Sequence, residues 1–209
     1  MSSTATRTRI RSDVQIHFSS STTTGDEIED FATSIEGIIS CYEETSDEDT
    51  PVGRVGLFYM DMGAILKTNI GLFDLFDIRG ETEPFYSALI DHDTQEFKSD
   101  LEEILGDYII DLNLLIIDRL EILPAYRGNN IGRECLRRCL QQYAHGCGVV
   151  ALKCFPLQFE AGGFDDPAWR RKMQLGKLSR NEKRSLAKLK KYYAALGFKV
   201  IPGTDFMVA

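Results

Sequence analysis

The sequence predicts one folded domain of the α/β or α+β class. Its second half alternates between strand and helix patterns, in the order strand, helix, strand, helix, strand. The 209 residues are enough to bury a core, and 43% hydrophobic with 27% charged residues is an ordinary globular mixture. No internal repeat or low-complexity segment divides the chain, so we expect a single domain with an elaboration.

Two strands and a group of short helices are predicted in the first half. Apolar residues alternate over 10–18, which is typical of a strand with mixed faces, and Val52–Met62 gives a second strand. Between residues 69 and 106 the apolar spacing fits short helices separated around Gly80 and His92. We therefore expect residues 1–107 to elaborate a more regular second half.

One longer helix is predicted between those two strands. Thr24 and Glu27 have the spacing of a capping box, which marks a helix N-terminus. The apolar residues that follow recur every three or four positions, as on one face of a helix: Ile28, Phe31, Ile35, Ile38, Ile39 and Tyr42. The pattern predicts an amphipathic helix over 26–43 with an acidic outer face.

The second half has clearer boundaries. Ser179 and Glu182 form another capping box, and Gly197 ends the helix that follows. The predicted elements, in chain order, are strand Tyr108–Leu123, helix Ile131–His145, strand Val149–Phe155, a helix from Ser179 to about Leu196, and short strands Phe198–Ile201 and Phe206–Ala209.

Charge is distributed unevenly along the chain. The formal net charge is −8, yet residues 170–191 hold ten basic residues and one acid, whereas residues 26–49 hold ten acids and no Lys or Arg. An acidic body opposes non-specific nucleic-acid binding and favours a cationic partner. The basic stretch leaves open phosphate binding or a solvated helix face. Because it lacks interleaved aromatic residues for base stacking, we do not expect a nucleic-acid partner.

The cysteines and the N-terminus predict a soluble protein of a reducing compartment. Five irregularly spaced cysteines without a Cys-x-x-Cys pair indicate free thiols. Cys135 and Cys139 fall on one helix face, but no further ligands follow at a metal spacing, so no metal site is expected. No apolar run is long enough to span a membrane and no secretory signal is recognisable, which predicts a cytoplasmic location.

The most informative segment runs from Leu120 to Gly132, where a strand passes through a Gly- and Asn-containing loop into a helix N-terminus. Amides exposed there lie at the positive end of a helix dipole and can bind a phosphate or pyrophosphate. Gly128 and Gly132 allow close approach of a ligand, and Asn129 and Asn130 tolerate left-handed backbone angles. The spacing fits neither a dinucleotide-binding fingerprint nor a P-loop, and a turn without a ligand stays open. Arginines that could neutralise phosphate charge are Arg127, Arg133 and either Arg137 or Arg138.

Two motifs in this half belong together. The run Pro124–Gly132 is similar to Arg/Gln-x-x-Gly-x-Gly/Ala, with Arg127 at the first position and Gly132 at the last, and the run Tyr192–Phe198 is similar to aromatic-Tyr-x-x-Leu-Gly-Phe. With a strand between them, they resemble the acetyl-CoA signature and the ending of the GNAT N-acetyltransferase superfamily. The likeness covers about 108–155 and 179–201. It implies an α+β fold in α/β/α layers, with a mixed, mostly antiparallel twisted sheet whose strands 4 and 5 splay to admit CoA.

The resemblance implies an acetyl-CoA-dependent N-acetyltransferase that transfers acetyl directly to a primary amine of a small molecule or peptide. Acetyl-CoA would be the co-substrate, with its pyrophosphate on the loop amides and its pantetheine paired with the Ile122 amide. The residues that would bind it are Ile122, Arg127, Gly128, Asn129, Asn130, Ile131, Gly132 and Arg133. The whole chain, 1–209, would then be one acyl-CoA N-acyltransferase-like domain.

The catalytic groups are implied in the same way. The Leu120 amide would polarise the thioester carbonyl, and Tyr193 would protonate the departing CoA thiolate, unless it is simply an aromatic residue packing inward. Asp118 is the first choice of general base, because strand alternation places it on the side of Leu120 and Ile116.

Other roles for these carboxylates stay open. Glu121 has the opposite parity but a bulge could turn it inward, and Glu160 is a third choice of base. Asp118 could instead form a structural salt bridge to Arg119 or Arg54.

The chain departs from the family pattern at two places. Asn130 replaces the middle glycine of the signature, and the segment Pro156–Leu178 is longer than usual and lacks the family's Asn. Residues 156–178 are either a substrate lid or an ordinary surface excursion. A non-catalytic CoA-binding or protein-interaction module on the same scaffold is the alternative function. A homodimer formed through an exposed strand edge also stays open.

Overall fold

Seven strands form one sheet in the part of the chain that the computed structural model describes, residues 14–21, 27–43, 48–160 and 166–209. They are β1 Val14–Ser21, β2 Ala32–Glu43, β3 Glu48–Met60, β4 Asn113–Ile122, β5 Cys147–Lys153, β6 Lys199–Val200 and β7 Phe206–Val208. Their order in the sheet is β1-β2-β3-β4-β5-β7-β6, and each neighbouring pair is antiparallel except β4 with β5.

Helices cover both faces of this sheet. They are α1 Met62–Ile65, α2 Leu72–Asp77, α3 Glu83–Leu89, α4 Asp100–Leu105, α5 Ile131–Tyr143, α6 Pro167–Met173 and α7 Glu182–Ala194. Helices α1 to α4 pack on one face, and α5 and α7 pack on the other. The predicted mixed, mostly antiparallel sheet flanked by helices is therefore confirmed. No helix among the described residues is both long and apolar enough to cross a bilayer.

Strand β4 lies at the centre because its first half is apolar on both sides. Leu114 and Ile116 face the layer of α1 to α4, whereas Leu115 and Ile117 face α5 and α7. All four side chains are buried. A continuous apolar run is the pattern expected for a strand covered on both faces.

Most predicted elements are confirmed with shifted ends. The stretch 69–106 forms the short helices α2, α3 and α4, and the strand expected over 10–18 is β1, described from Val14 onward. The capping box proposed for the last helix is wrong in position. Asn181, rather than Ser179, is the N-cap, and its side chain accepts a hydrogen bond from the Arg184 amide at 2.9 Å.

The helix predicted over 26–43 is wrong, because residues 32–43 form strand β2. Ile35 and Ile39 are four residues apart, a spacing that places two side chains on one face of a helix and equally on one face of a strand. The neighbouring Ile38 decides between them: it is 39% exposed on the opposite face, while Ile39 is fully buried. Only a single turn of 3₁₀ helix, Ile28–Phe31, precedes the strand. Thr24, of the expected capping box, lies outside the described residues.

The strand conformation of residues 32–43 predicts different losses of stability for two adjacent isoleucines. Ile39→Ala empties a fully buried position and should lower the free energy of unfolding by about 2–5 kcal/mol. Ile38→Ala, on the open face of β2, should cost about 1 kcal/mol or less. Urea denaturation of both variants measures the difference. Equal losses would contradict the strand, because an amphipathic helix would bury both side chains on one face.

Candidate functional site

The sheet opens between β4 and β5, the one parallel pair among the strands that the structure describes. Pairing of β4 with β5 begins at Asn113 with Cys147 and ends at Ile117 with Leu152. Beyond that point β4 continues to Ile122 paired with β3 alone, while β5 pairs with β7. The gap leads into a cleft of about 1410 Å³, lined by β3, β4, the loop before α5, the segment after β5, and α7.

A β-bulge lies where β4 stops pairing with β5. Ile117 pairs with Leu57 and Arg119 with Gly56, so Asp118 is an extra residue without a counterpart on β3. A Cβ placed on Gly56 would lie 3.6 Å from Asp118 Oδ2 and 3.8 Å from Arg119 Cβ. Asp118 and Arg119 are therefore adjacent on the same side of the sheet.

The bulge reverses the alternation that the sequence pattern assumes. Leu120 and Ile122 pack toward α5, within 3.2 and 3.6 Å of a Cβ built on Gly132. Glu121 therefore lies on the opposite side, together with Asp118. The expectation that Asp118 and Leu120 share a side is wrong, whereas the alternative that a bulge turns Glu121 is confirmed.

The amides of Leu120 and Ile122 are directed into the gap. The Leu123 amide donates to the Val52 carbonyl of β3 at 2.8 Å. Since backbone groups alternate between the two edges of a strand, the amides of Ile122 and Leu120 point to the other edge, where β5 has diverged. The Ile122 carbonyl on that edge accepts a hydrogen bond from Arg127 Nε at 2.8 Å.

Asp118 has the chemistry of a base near neutral pH. Its side chain is open to the cleft, and within the described ranges no hydrogen bond or ion pair engages its carboxylate. Desolvation by the cleft walls raises its pKa to about 6, with Arg119 opposing the rise and Glu81, Glu160 and Glu121 adding to it. Because the folded state holds this proton more tightly, the stability it provides is lost as pH rises from about 4 through 6.

The other two carboxylates considered as bases are engaged in ion pairs. Arg119 donates to Glu121 Oε1 at 3.1 Å, and to both oxygens of Glu160 at 2.5 and 3.2 Å. Glu121 is only 2% exposed and also accepts a hydrogen bond from Trp169 Nε1 at 2.6 Å. Of the three carboxylates, Asp118 is the one available to receive a proton.

The loop before α5 has two left-handed backbone positions, as its Gly and Asn residues allow. Gly128 has φ of 83°, and Asn130, the N-cap residue of α5, has φ of 62°. Asn is one of the few residues that tolerate this left-handed region, so it can replace the glycine of the family signature. The Asn130 side chain does not cap the helix, and Gly128, Asn129 and Asn130 are exposed. The first-turn amides are thus without a side-chain cap from Asn130.

Arg127 has a structural contact that sequence reasoning missed. Besides the Ile122 carbonyl, it donates through Nη2 to the Met173 carbonyl of α6 at 3.0 Å. Burial lowers the pKa of its guanidinium. These bonds join the loop to α6, so substituting Arg127 would disturb the loop as well as any phosphate contact. Arg133, partly exposed at the first turn of α5, also lines the cleft.

Two tyrosines of α7 line the cleft from the side of α5. Tyr192 is close to the loop, since a Cβ on Gly132 would lie 2.7 Å from its hydroxyl, and Arg133 stacks over its ring at 5.5 Å. Gly132 is therefore needed for helix packing, whatever else it contacts. Tyr193 packs edge-on against Phe198, and burial raises the pKa of its hydroxyl above the ordinary value of 10. Its neighbour Tyr192 was not among the expected site residues.

The 156–178 segment covers part of the cleft. Its residues 161–165 lie outside the described part of the chain, and the remainder forms two 3₁₀ turns and α6. Trp169 of α6 is buried, and the Arg54 guanidinium lies over its ring at 4.3 Å. Asp166, the N-cap of α6, pairs with Arg54 at 2.7 Å.

Comparisons with family models, curated proteins and solved structures found no match to this chain.

Proposed function

We propose that this protein is an acetyl-CoA-dependent N-acetyltransferase that acts on a primary amine by direct transfer. The observation that carries the proposal is the gap between β4 and β5, with the α5 N-terminus at one end and Asp118 beside it. Because the two parallel strands separate, the sheet has an opening in which two substrates can meet from opposite faces.

The residues on the α5 side fit the anionic end of acetyl-CoA. The first-turn amides of α5 and the Arg133 guanidinium would hold the pyrophosphate, because both present positive charge to the cleft. The Ile122 amide would pair with the pantetheine, and the Leu120 amide would donate to the thioester oxygen as negative charge develops there. When bound, acetyl-CoA supplies the activated acetyl group.

Asp118 would serve the amine on the opposite side. Its carboxylate accepts a proton from the acceptor ammonium, directly or through water, which frees the nitrogen lone pair to attack the thioester carbon. The new N–C bond forms as the C–S bond breaks, and Tyr193 donates its proton to sulfur. The nitrogen then gives its second proton to the Tyr193 phenolate, which restores the tyrosine. Asp118 finally releases the first proton to solvent, so each turnover releases one proton.

Charge supports a cationic acceptor. Asp118 is near the carboxylates of Glu81, Glu160 and Glu121, and the protein as a whole has a net charge of −8. Such a field raises the local concentration of an ammonium ion. The odd number of cysteines supports a reducing compartment, and our proposal includes a cytoplasmic location.

The Asp118 carboxylate should set the acidic side of the pH profile. Below about pH 6, protonation of Asp118 should add a slope of one to log kcat/KM, because a protonated carboxyl cannot accept the proton of the acceptor ammonium. Asp118→Asn should remove that added slope and lower kcat by about 100-fold or more. Thiol release from acetyl-CoA over a panel of primary amines measures both. Asp93→Asn, on the exposed turn after α3, is the control. An unchanged profile would contradict the assignment.

A non-catalytic acyl-CoA-binding module is the second candidate, and the burial of Tyr193 is the observation that favours it. Proton transfer to a thiolate is unfavourable for a tyrosine whose pKa is raised. It becomes favourable only if the same desolvation also raises the pKa of the thiol.

Tyr193→Phe separates the two candidates. For an enzyme we expect kcat to fall about 100-fold while the Kd for acetyl-CoA changes less than about twofold, because only the proton donor is lost. Stopped-flow kinetics and calorimetry measure these quantities. Tight acetyl-CoA binding without turnover in the unsubstituted protein, unaffected by Tyr193→Phe, would instead support the binding module.

A further inference from the structure

A chain of polar contacts, buried at Glu121 and partly buried at Arg119 and Glu160, joins β4 to two places in the 156–178 segment. Arg119 lies between Glu121 and Glu160 and donates to both carboxylates. Glu121 accepts a second bond from Trp169, the indole of α6. Glu160 and Trp169 are therefore connected to β4 through Arg119 and Glu121, which are two positions apart and lie on the same side of the bulged strand.

A second set of contacts holds α6 on the neighbouring strand. The Arg54 guanidinium of β3 lies over the Trp169 ring at 4.3 Å and pairs with Asp166 at 2.7 Å. The C-terminal end of α6 accepts a hydrogen bond from Arg127 at Met173. Helix α6 thus contacts β3, β4 and the loop before α5, although it has fewer than two full turns.

We propose that Arg119 is a positioning residue, which joins Glu160 to the bulged part of β4, orients the Glu121 carboxylate that accepts from Trp169 of α6, and so sets the acceptor side of the cleft around Asp118. The inference rests on the proposed function, in which Asp118 is the base. Arg119 acts through its hydrogen bonds to Glu121 and Glu160 rather than on the substrate.

The charges around Asp118 explain why the placement of Arg119 matters. The carboxylate is faced by Arg119 and Glu121 from β4, by Glu160 after β5, and by Glu81 from the turn between α2 and α3. Arg54 and Arg79 also line the cleft. The charge of Arg119 favours the ionised form of Asp118, and its contacts with Glu121 and Glu160 keep it there.

The geometry calls for arginine rather than lysine. A planar guanidinium can donate to two carboxylates from fixed directions, whereas an ammonium is a single point charge on a flexible chain. Arg119→Lys should therefore preserve the charge beside Asp118 but loosen Glu160 and α6, raising KM for the amine more than it lowers kcat.

Glu160→Gln is the decisive variant, because it keeps the side-chain shape and removes one negative charge. We expect the Asp118 pKa to fall by about 0.5 pH unit or more. Carbon-13 NMR titration of the side-chain carboxyls measures this without any turnover, and Asp118→Asn identifies the resonance. Amide hydrogen exchange of α6 should also become faster. Glu103→Gln, an exposed residue of α4, is the matched control and should change neither quantity.

Arg119→Met should shift the Asp118 pKa in the opposite direction. Removing the positive charge should raise the Asp118 pKa, whereas Glu160→Gln lowers it, and a purely structural role would not produce this opposition. If Arg119→Met does not fold, because Glu121 is left buried without its cation, Glu160→Gln alone decides. An Asp118 pKa and an α6 exchange rate unchanged by Glu160→Gln would overturn the proposal. Opposite pKa shifts in a protein that transfers no acetyl group would uphold the network and reject the acetyltransferase.

Discussion

The early end of hydrogen bonding between β4 and β5 is the constraint on which the rest of the site depends. Five registered pairs hold the two parallel strands together, and beyond Ile117 and Leu152 they separate. The bulge at Asp118 begins at the next residue of β4. An extra residue locally bends and twists a strand, which gives a physical reason for the two strands to part at this point. The backbone groups on that edge of β4 are then directed toward the gap.

The same bulge divides the chemistry between two faces. Leu120 and Ile122 pack beneath the first turn of α5, while Asp118 and Arg119 lie on the opposite side. Without the extra residue, strand alternation would carry Arg119 to the face of α5 and separate it from Asp118. One inserted position thus keeps Arg119 beside Asp118, on the side of the sheet opposite the N-terminus of α5.

The sequence predicts those parts of the structure whose signals are local. Helix α5 and the two left-handed positions before it follow from apolar spacing and from Gly and Asn. Strand β2 was mistaken for a helix because Ile35 and Ile39 share a face in either conformation, and only the exposed Ile38 separates the two. A local pattern that fits both periods cannot be resolved without knowing what packs against it.

Long-range contacts were beyond the reach of sequence patterns. Arg119 and Glu160 are 41 residues apart, and Glu121 and Trp169 are 48 apart. Nothing in the spacing of those residues indicates that they meet. Arg127 illustrates the same limit: the signature motif suggested a phosphate ligand, but its side chain donates to a carbonyl on α6.

The most direct test of the gap as an acyl-CoA site is amide NMR during titration with acetyl-CoA. Our account predicts that the resonances of Leu120, Ile122 and residues 131–133 shift together and saturate at one Kd, because these amides line a single opening. Acetyl-CoA that leaves them unmoved, or that shifts resonances on the opposite helical layer instead, would contradict it.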